Sequence, residues 1–188
     1  MCISLACALA YIADQKQCSG IALEAIHLFL YTAKYITYKL NIMEPGKLTR
    51  LINSMFIEIE KLLPAYLENK EDERIANGNC AACIIDEQGL VYGRVYGNYK
   101  IRGRESFRVA WTKASQVWIT GLKTGEYEKK FFNNEVEECG IEMPDLIGWE
   151  GGQPLTLKDG RKLFVGFSGI RGIYDLEIMV KALEAVEG

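Results

Sequence analysis

The chain has 188 residues, of which 49% are hydrophobic and 25% charged, and a formal net charge of −3. These proportions are those of a folded domain and argue against disorder. They offer no basic field for a polyanion, and no apolar run reaches the roughly 18 to 20 residues of a membrane span, so nucleic acid and the bilayer are excluded as expected partners.

The opening "MCISLACALAYIADQKQC" has no Lys or Arg ahead of a very short apolar run, unlike a secretory leader, and is read as part of a helix in a cytoplasmic protein. On that reading Cys2, Cys7, Cys18, Cys80, Cys83 and Cys139 are free thiols. From Ala22 the apolar residues Ala22, Leu23, Ile26, Phe29, Leu30, Ala33, Ile36 and Leu40 form a helical stripe, with Tyr31, Tyr35 and Tyr38 on another face. "EPGK" at 44–47 is a break, since Pro and Gly together favour a turn. These features predict an N-terminal helical extension over 1–44 and a separate domain over 47–188.

The domain begins with a second helix, carried by Leu48, Leu51, Ile52, Met55, Ile59 and Leu62, with Pro64 expected to kink or restart it. "ANGN" at 76–79 ends this helical half. "CAACIID" (80–86), "EQG" and "LVYGRVYG" then read as a β-hairpin. "ESFRVAWTKASQVWITG" (105–121) reads as a helix with Phe107, Ala110, Trp111, Ala114, Val117 and Trp118 facing inward and Gly121 as its C-terminal cap. Residues 122–150 are mixed. "QPLTLK" and "KLFVGFS" form a second hairpin, where Asp159-Gly160 is expected to supply the positive φ angles of a tight turn. "YDLEIMVKALEAVEG" closes the chain as a helix, with Leu176, Met179, Val180 and Leu183 inward. The sum is an α+β domain: an antiparallel sheet flanked by helices.

Several constellations suggest chemistry and are weaker than they look. In a strand, Cys80 and Cys83 point to opposite faces and cannot converge on one metal, so they read as buried structural cysteines. His27 is the only histidine, which excludes multi-histidine metal centres and any triad built on another histidine. It reads either as a packing residue or as a single axial haem ligand. "GLKTG" (121–125) lacks the P-loop ending, and Gly166, Gly169 and Gly172 have neither the spacing nor the βαβ context of a dinucleotide site. The acidic runs "ENKEDE" and "NEVEECGIE" read as solvated surface, and Trp111 and Trp118 as core.

"FSGIRG" (167–172) leaves a strand and enters a helix beginning near Tyr174-Asp175. Two readings stay open there. Backbone N–H groups at the helix start, with Arg171 nearby, could hold a carboxylate or other anion; alternatively, the turn needs glycine for steric reasons and Asp175 caps the helix.

As a whole the pattern resembles the GlcG/HbpS-like family, which includes the C-terminal domain of PduO-type proteins. "CIIDEQGLVYGR" resembles its first hairpin through Asp86, Gly89 and Arg94, and "ESFRVAWTKAS" its helix through Ser106, Ala110, Lys113 and Ala114. "GGQPL" is similar to the Gly-Gly-x-Pro step, and "LFVGFSGIRGIYDLEI" to the Gly-x-Ser-Gly strand end followed by an acidic helix start at Asp175. The resemblance spans about residues 47–186. It implies a profilin-like domain that assembles into homo-oligomers and binds a small molecule, in some members haem or a related tetrapyrrole. The ligand-binding residues it implies are Arg94, Lys113, Ser168, Gly169, Arg171 and Asp175. The matched region has no histidine, so axial ligation of haem would fall to a Tyr or to His27 of another subunit.

Three functional readings follow. The first is an oligomeric small-ligand-binding protein with haem or a tetrapyrrole as the candidate. The second is a structural or accessory protein acting through assembly by its first helices. The third is an enzyme for a small carboxylate near Arg171, Lys113 and Ser168, for which no activated nucleophile or acid/base pair is visible.

Overall fold

The computed structural model describes residues 45–188. The expectations placed on 1–44, including the helical stripe, the tyrosine face and His27, lie outside the described residues. The elements are α1 (Pro45–Leu67), α2 (Lys70–Ala76), β1 (Asn79–Asp86), β2 (Val91–Gly97), α3 (Lys100–Thr120), α4 (Thr124–Phe132), β3 (Gly152–Thr156), β4 (Lys162–Ser168) and α5 (Gly172–Glu187). The four strands form one antiparallel sheet in the order β2-β1-β4-β3. The α+β architecture expected from the sequence is the one observed.

α3 crosses one face of the sheet, touching all four strands. It meets Ala81, Cys83 and Ile85 of β1 with Ala110 and Ala114, and Phe107 and Phe164 flank this cluster. The opposite face carries α1 and α5. Tyr96 on β2 donates its hydroxyl to the Phe56 carbonyl of α1 (3.1 Å), and Gln153 on β3 donates to the Leu176 carbonyl of α5 (2.8 Å). β1 is therefore covered on both sides and buried along its whole length, which is why "CAACIID" is apolar without alternation. Cys80 and Cys83 are buried free thiols, and burial pushes both up to about 12.

The two hairpins share one turn design. In each, a three-residue turn closes with a glycine N–H donating back: Gly89 to the Asp86 carbonyl (3.0 Å), Gly160 to the Leu157 carbonyl (2.9 Å). Outer bonds run from Asp86 N–H to the Leu90 carbonyl and from Leu157 N–H to the Arg161 carbonyl. Only Gly160 of the Asp159-Gly160 pair has positive φ (89°), so the turn is a type I turn with a left-handed glycine rather than a two-residue loop. Asp86 also accepts the Gln88 and Leu90 N–H groups at its carboxylate, both at 2.9 Å, which accounts for its burial.

Four expectations change in detail. Pro64 does not restart the helix: α1 runs through it to Leu67, and the interruption falls at Asn69, whose side chain accepts the Glu71 N–H (2.9 Å) as the cap of α2. The buried stripe of α1 is Leu48, Ile52, Met55, Phe56, Ile59 and Leu63, with Leu51 and Leu62 at its edges. α5 buries Ile178, Met179, Ala182 and Leu183, and leaves Leu176 and Val180 half-buried.

Trp111 and Trp118 are not core; they are 40% and 42% exposed. The reason is the closeness of α3 to the sheet. A Cβ on Gly166 would lie 2.1 Å from the Ala110 carbonyl oxygen and 2.7 Å from the Ala114 nitrogen, so only small residues fit on the facing stripe. The tryptophans lie to the flanks, where Trp118 covers the β1–β2 turn at Gly89.

Candidate ligand-binding site

The sequence between α4 and β3 has little regular structure, yet it is held firmly against α3. Gln116, fully buried, exchanges two hydrogen bonds with the backbone of Ile147: its amide donates to the carbonyl (2.9 Å) and its oxygen accepts the N–H (2.8 Å). The Thr124 hydroxyl donates to the Trp149 carbonyl at 2.6 Å. These bonds bring Trp149 and Glu150 to the start of α5, where they face the N-terminal half of α3 across a cavity of about 860 Å³.

Lys113 and Asp175 lie at the floor of this cavity. The Lys113 ammonium donates to Asp175 Oδ2 (2.7 Å) and to the Phe167 carbonyl (2.9 Å), with side chains only 4% and 2% exposed. Asp175 Oδ1 accepts the Ile170 N–H (3.2 Å). Asp175 therefore ties the strand-to-helix turn to α3 and does not cap α5, which begins at Gly172, ahead of the start expected near Tyr174. Burial pushes the Asp175 carboxyl up to about 7, outweighing the opposing pull of Lys113 and the Ile170 N–H. Gly151 roofs the pair: a Cβ there would lie 2.4 Å from Lys113 Nζ and 2.8 Å from Asp175 Oδ2.

The anion at the start of α5 belongs to the protein itself. Asp72, on α2, accepts the Arg171 backbone N–H (2.9 Å) and holds the guanidinium through Nε (3.0 Å) and Nη2 (2.8 Å). Burial opposes ionisation of Asp72, but the hydrogen bonds and charge of Arg171 prevail and hold its carboxyl below the usual range. Asp72 is 1% exposed, so its acidic run is not solvated throughout. Gly169 meets the steric reading: with φ 141°, a Cβ there would lie 2.6 Å from Cys80 Sγ.

Of the residues expected at a site, Lys113, Ser168, Gly169, Arg171 and Asp175 all line this one cavity. Arg94 does not join them. It lies on β2 and pairs with Glu60 of α1, on the face of the sheet that α3 does not cover.

The cavity also has residues that the motif reading missed. Arg102, Arg104 and Arg108 line it from α3, with Ile75, Val109 and Ile170 as apolar walls. Arg102 is spent on Glu105 (3.4 Å) and the Ile75 carbonyl (3.2 Å), although its buried Nε has no partner. Among the described residues, Arg104 and Arg108 form no ion pair. They stand four residues apart in "RESFR", so one helical face carries both guanidinium groups. That i,i+4 spacing was the available signal.

Comparison with known proteins gives likenesses of structure only. No family model matches the chain, and no curated protein matches it significantly. Among solved structures it is similar to the protein ORFY of Klebsiella pneumoniae, at 17% identity and a TM-score of 0.47, over 74% of this chain and 89% of that one. A PduOC domain solved as a heme complex aligns at 18% identity and a TM-score of 0.46, over 69% and 92% of the two chains. HbpS aligns at 19% and 0.39, over 63% and 88%. Among the described residues no helix is long and apolar enough to cross a membrane.

Proposed function

We propose that this chain is a small-molecule-binding protein whose ligand carries carboxylate groups, with tetrapyrroles of the haem class as the candidate ligands. The observation that carries this reading is the cavity bordered by Arg104 and Arg108, two exposed guanidinium groups that form no ion pair among the described residues, beside the apolar walls of Ile75, Val109 and Ile170. A volume of about 860 Å³ lies within the roughly 300 to 1,000 Å³ of small-molecule sites. Arginine presents a planar fork that binds carboxylates bidentately, which suits propionate side chains. The exposed Trp149 adds a flat apolar surface against which a ring can lie.

The donor set fits the carboxylates of haem and not its iron. The lining contains no His, Cys, Met or Tyr among the described residues, and the Lys113 amine is already bonded to Asp175 and Phe167. Equilibrium titration of the full chain with haemin tests the proposal. The expected result is saturable binding that weakens by about tenfold or more in Arg104→Ala/Arg108→Ala, as loss of charge-assisted hydrogen bonds requires. No binding by wild type, or equal binding by the variant, would count against it.

A further inference from the structure

Resting on that reading, we infer that the cavity holds its ligand by the carboxylates alone and is indifferent to a central metal, so that a metal-free tetrapyrrole is as good a ligand as haem. The argument starts from what each polar group in the cavity is free to do. Lys113 cannot ligate, because its ammonium is bonded to two acceptors beneath Gly151. Ser168 offers a neutral hydroxyl, which is not among the protein groups that hold haem iron. Cys80 lies behind Gly169 rather than in the lining, and its thiol is held protonated by burial, whereas a metal ligand is the thiolate. Among the described residues, no group of three or more His, Cys, Asp and Glu could hold a metal ion.

Of the lining carboxylates, Glu105 pairs with Arg102 and Asp175 with Lys113, while Glu150 forms no ion pair among the described residues; the unpaired arginines outnumber it and point to an anion. Arg104 and Arg108 form no ion pair among the described residues, and the cavity-lining Arg102 keeps a buried Nε–H without an acceptor. A buried donor without a partner is rare in folded proteins and costs free energy until it finds one. Two propionates reaching Arg104 and Arg108 would pair with their guanidinium groups, while the macrocycle covers Ile75, Val109 and Ile170. None of these contacts involves the centre of the ring.

The experiment compares haemin, protoporphyrin IX and protoporphyrin IX dimethyl ester as ligands of the full chain and of His27→Ala, with fluorescence quenching and the Soret band as readouts. The expected result has three parts. Protoporphyrin IX binds within about threefold of haemin, half a decade in affinity. The dimethyl ester, which keeps the ring and loses the charges, binds about tenfold or more weakly. The Soret spectrum of bound haemin is the same in His27→Ala. Binding of haemin without protoporphyrin IX, a spectrum that changes in His27→Ala, or equal binding of the ester would each overturn the inference while leaving a ligand-binding protein. If neither haemin nor protoporphyrin IX binds, the tetrapyrrole reading falls and this inference falls with it.

Discussion

At the floor of the cavity Lys113 and Asp175 are buried and bonded to each other, to a strand carbonyl and to a turn N–H. At its mouth Arg104 and Arg108 are exposed and bonded to no carboxylate among the described residues. Both regions are built from charged side chains, yet their physics differs. A buried charge is tolerated only when fully paired, so the floor is committed to structure. An exposed guanidinium costs little to leave unpaired and is free to meet a ligand. Arg171 lies between these limits: its guanidinium is half-buried, lines the cavity and is held by Asp72. Motif likeness singled out the floor, whereas the guanidinium groups left without an ion pair among the described residues are at the mouth.

The largest effect expected is at the floor. Lys113→Met removes one partner and strands the Asp175 carboxyl in a dry site, which should lower unfolding free energy by about 3 to 5 kcal/mol in urea titrations. Lys113→Met/Asp175→Leu should recover only part of this, because the Phe167 carbonyl and Ile170 N–H lose their partners as well. A single variant within about 1 kcal/mol of wild type would erase the distinction between floor and mouth.

An intermediate effect is expected with pH. The folded-state value of Asp175, about 7, lies above that of an unfolded aspartate. Between those two values the native state binds more protons than the unfolded one, so this group's contribution is complete below about pH 4 and is lost as pH rises through about 7. Wild type should therefore lose stability relative to Asp175→Asn when urea midpoints are compared at about pH 5 and pH 8. Parallel profiles would show that Lys113 keeps the carboxylate ionised throughout. The smallest effect belongs to the mouth: Arg104→Ala/Arg108→Ala should unfold within about 0.5 kcal/mol of wild type. A larger loss would mean that these arginines support the fold.

Much of this was legible in the order of residues. Both hairpins, the helix ending at Gly121 and the glycine-bearing turn after Ser168 follow from local chemistry, and local chemistry can be read locally. Lys113 and Asp175 were accessible through motif likeness, but their bond joins residues far apart in the chain and no periodicity encodes it. Asp72 was hidden in an acidic run that looks solvated. Its spacing to Ile75 and Ala76 places it on the inward face of α2, a weaker signal than the surrounding charge. The tryptophans of α3 misled because size was read as burial, while the Gly166 contact selects for small residues.

The sheet order has a kinetic consequence. β1–β2 and β3–β4 are hairpins closed by short turns, and each can form from neighbouring residues alone. The remaining pairing, β1 with β4, joins the two halves through the register Ala81↔Ser168 to Asp86↔Leu163. It closes a loop of roughly 80 residues, whose entropic cost grows only with the logarithm of its length but must be met before the central contacts repay it. The cavity floor lies on the far side of that same event, since Lys113 belongs to the intervening helix and Asp175 follows β4. The cavity therefore cannot assemble from either hairpin by itself, and its completion marks the joining of the two halves of the sheet.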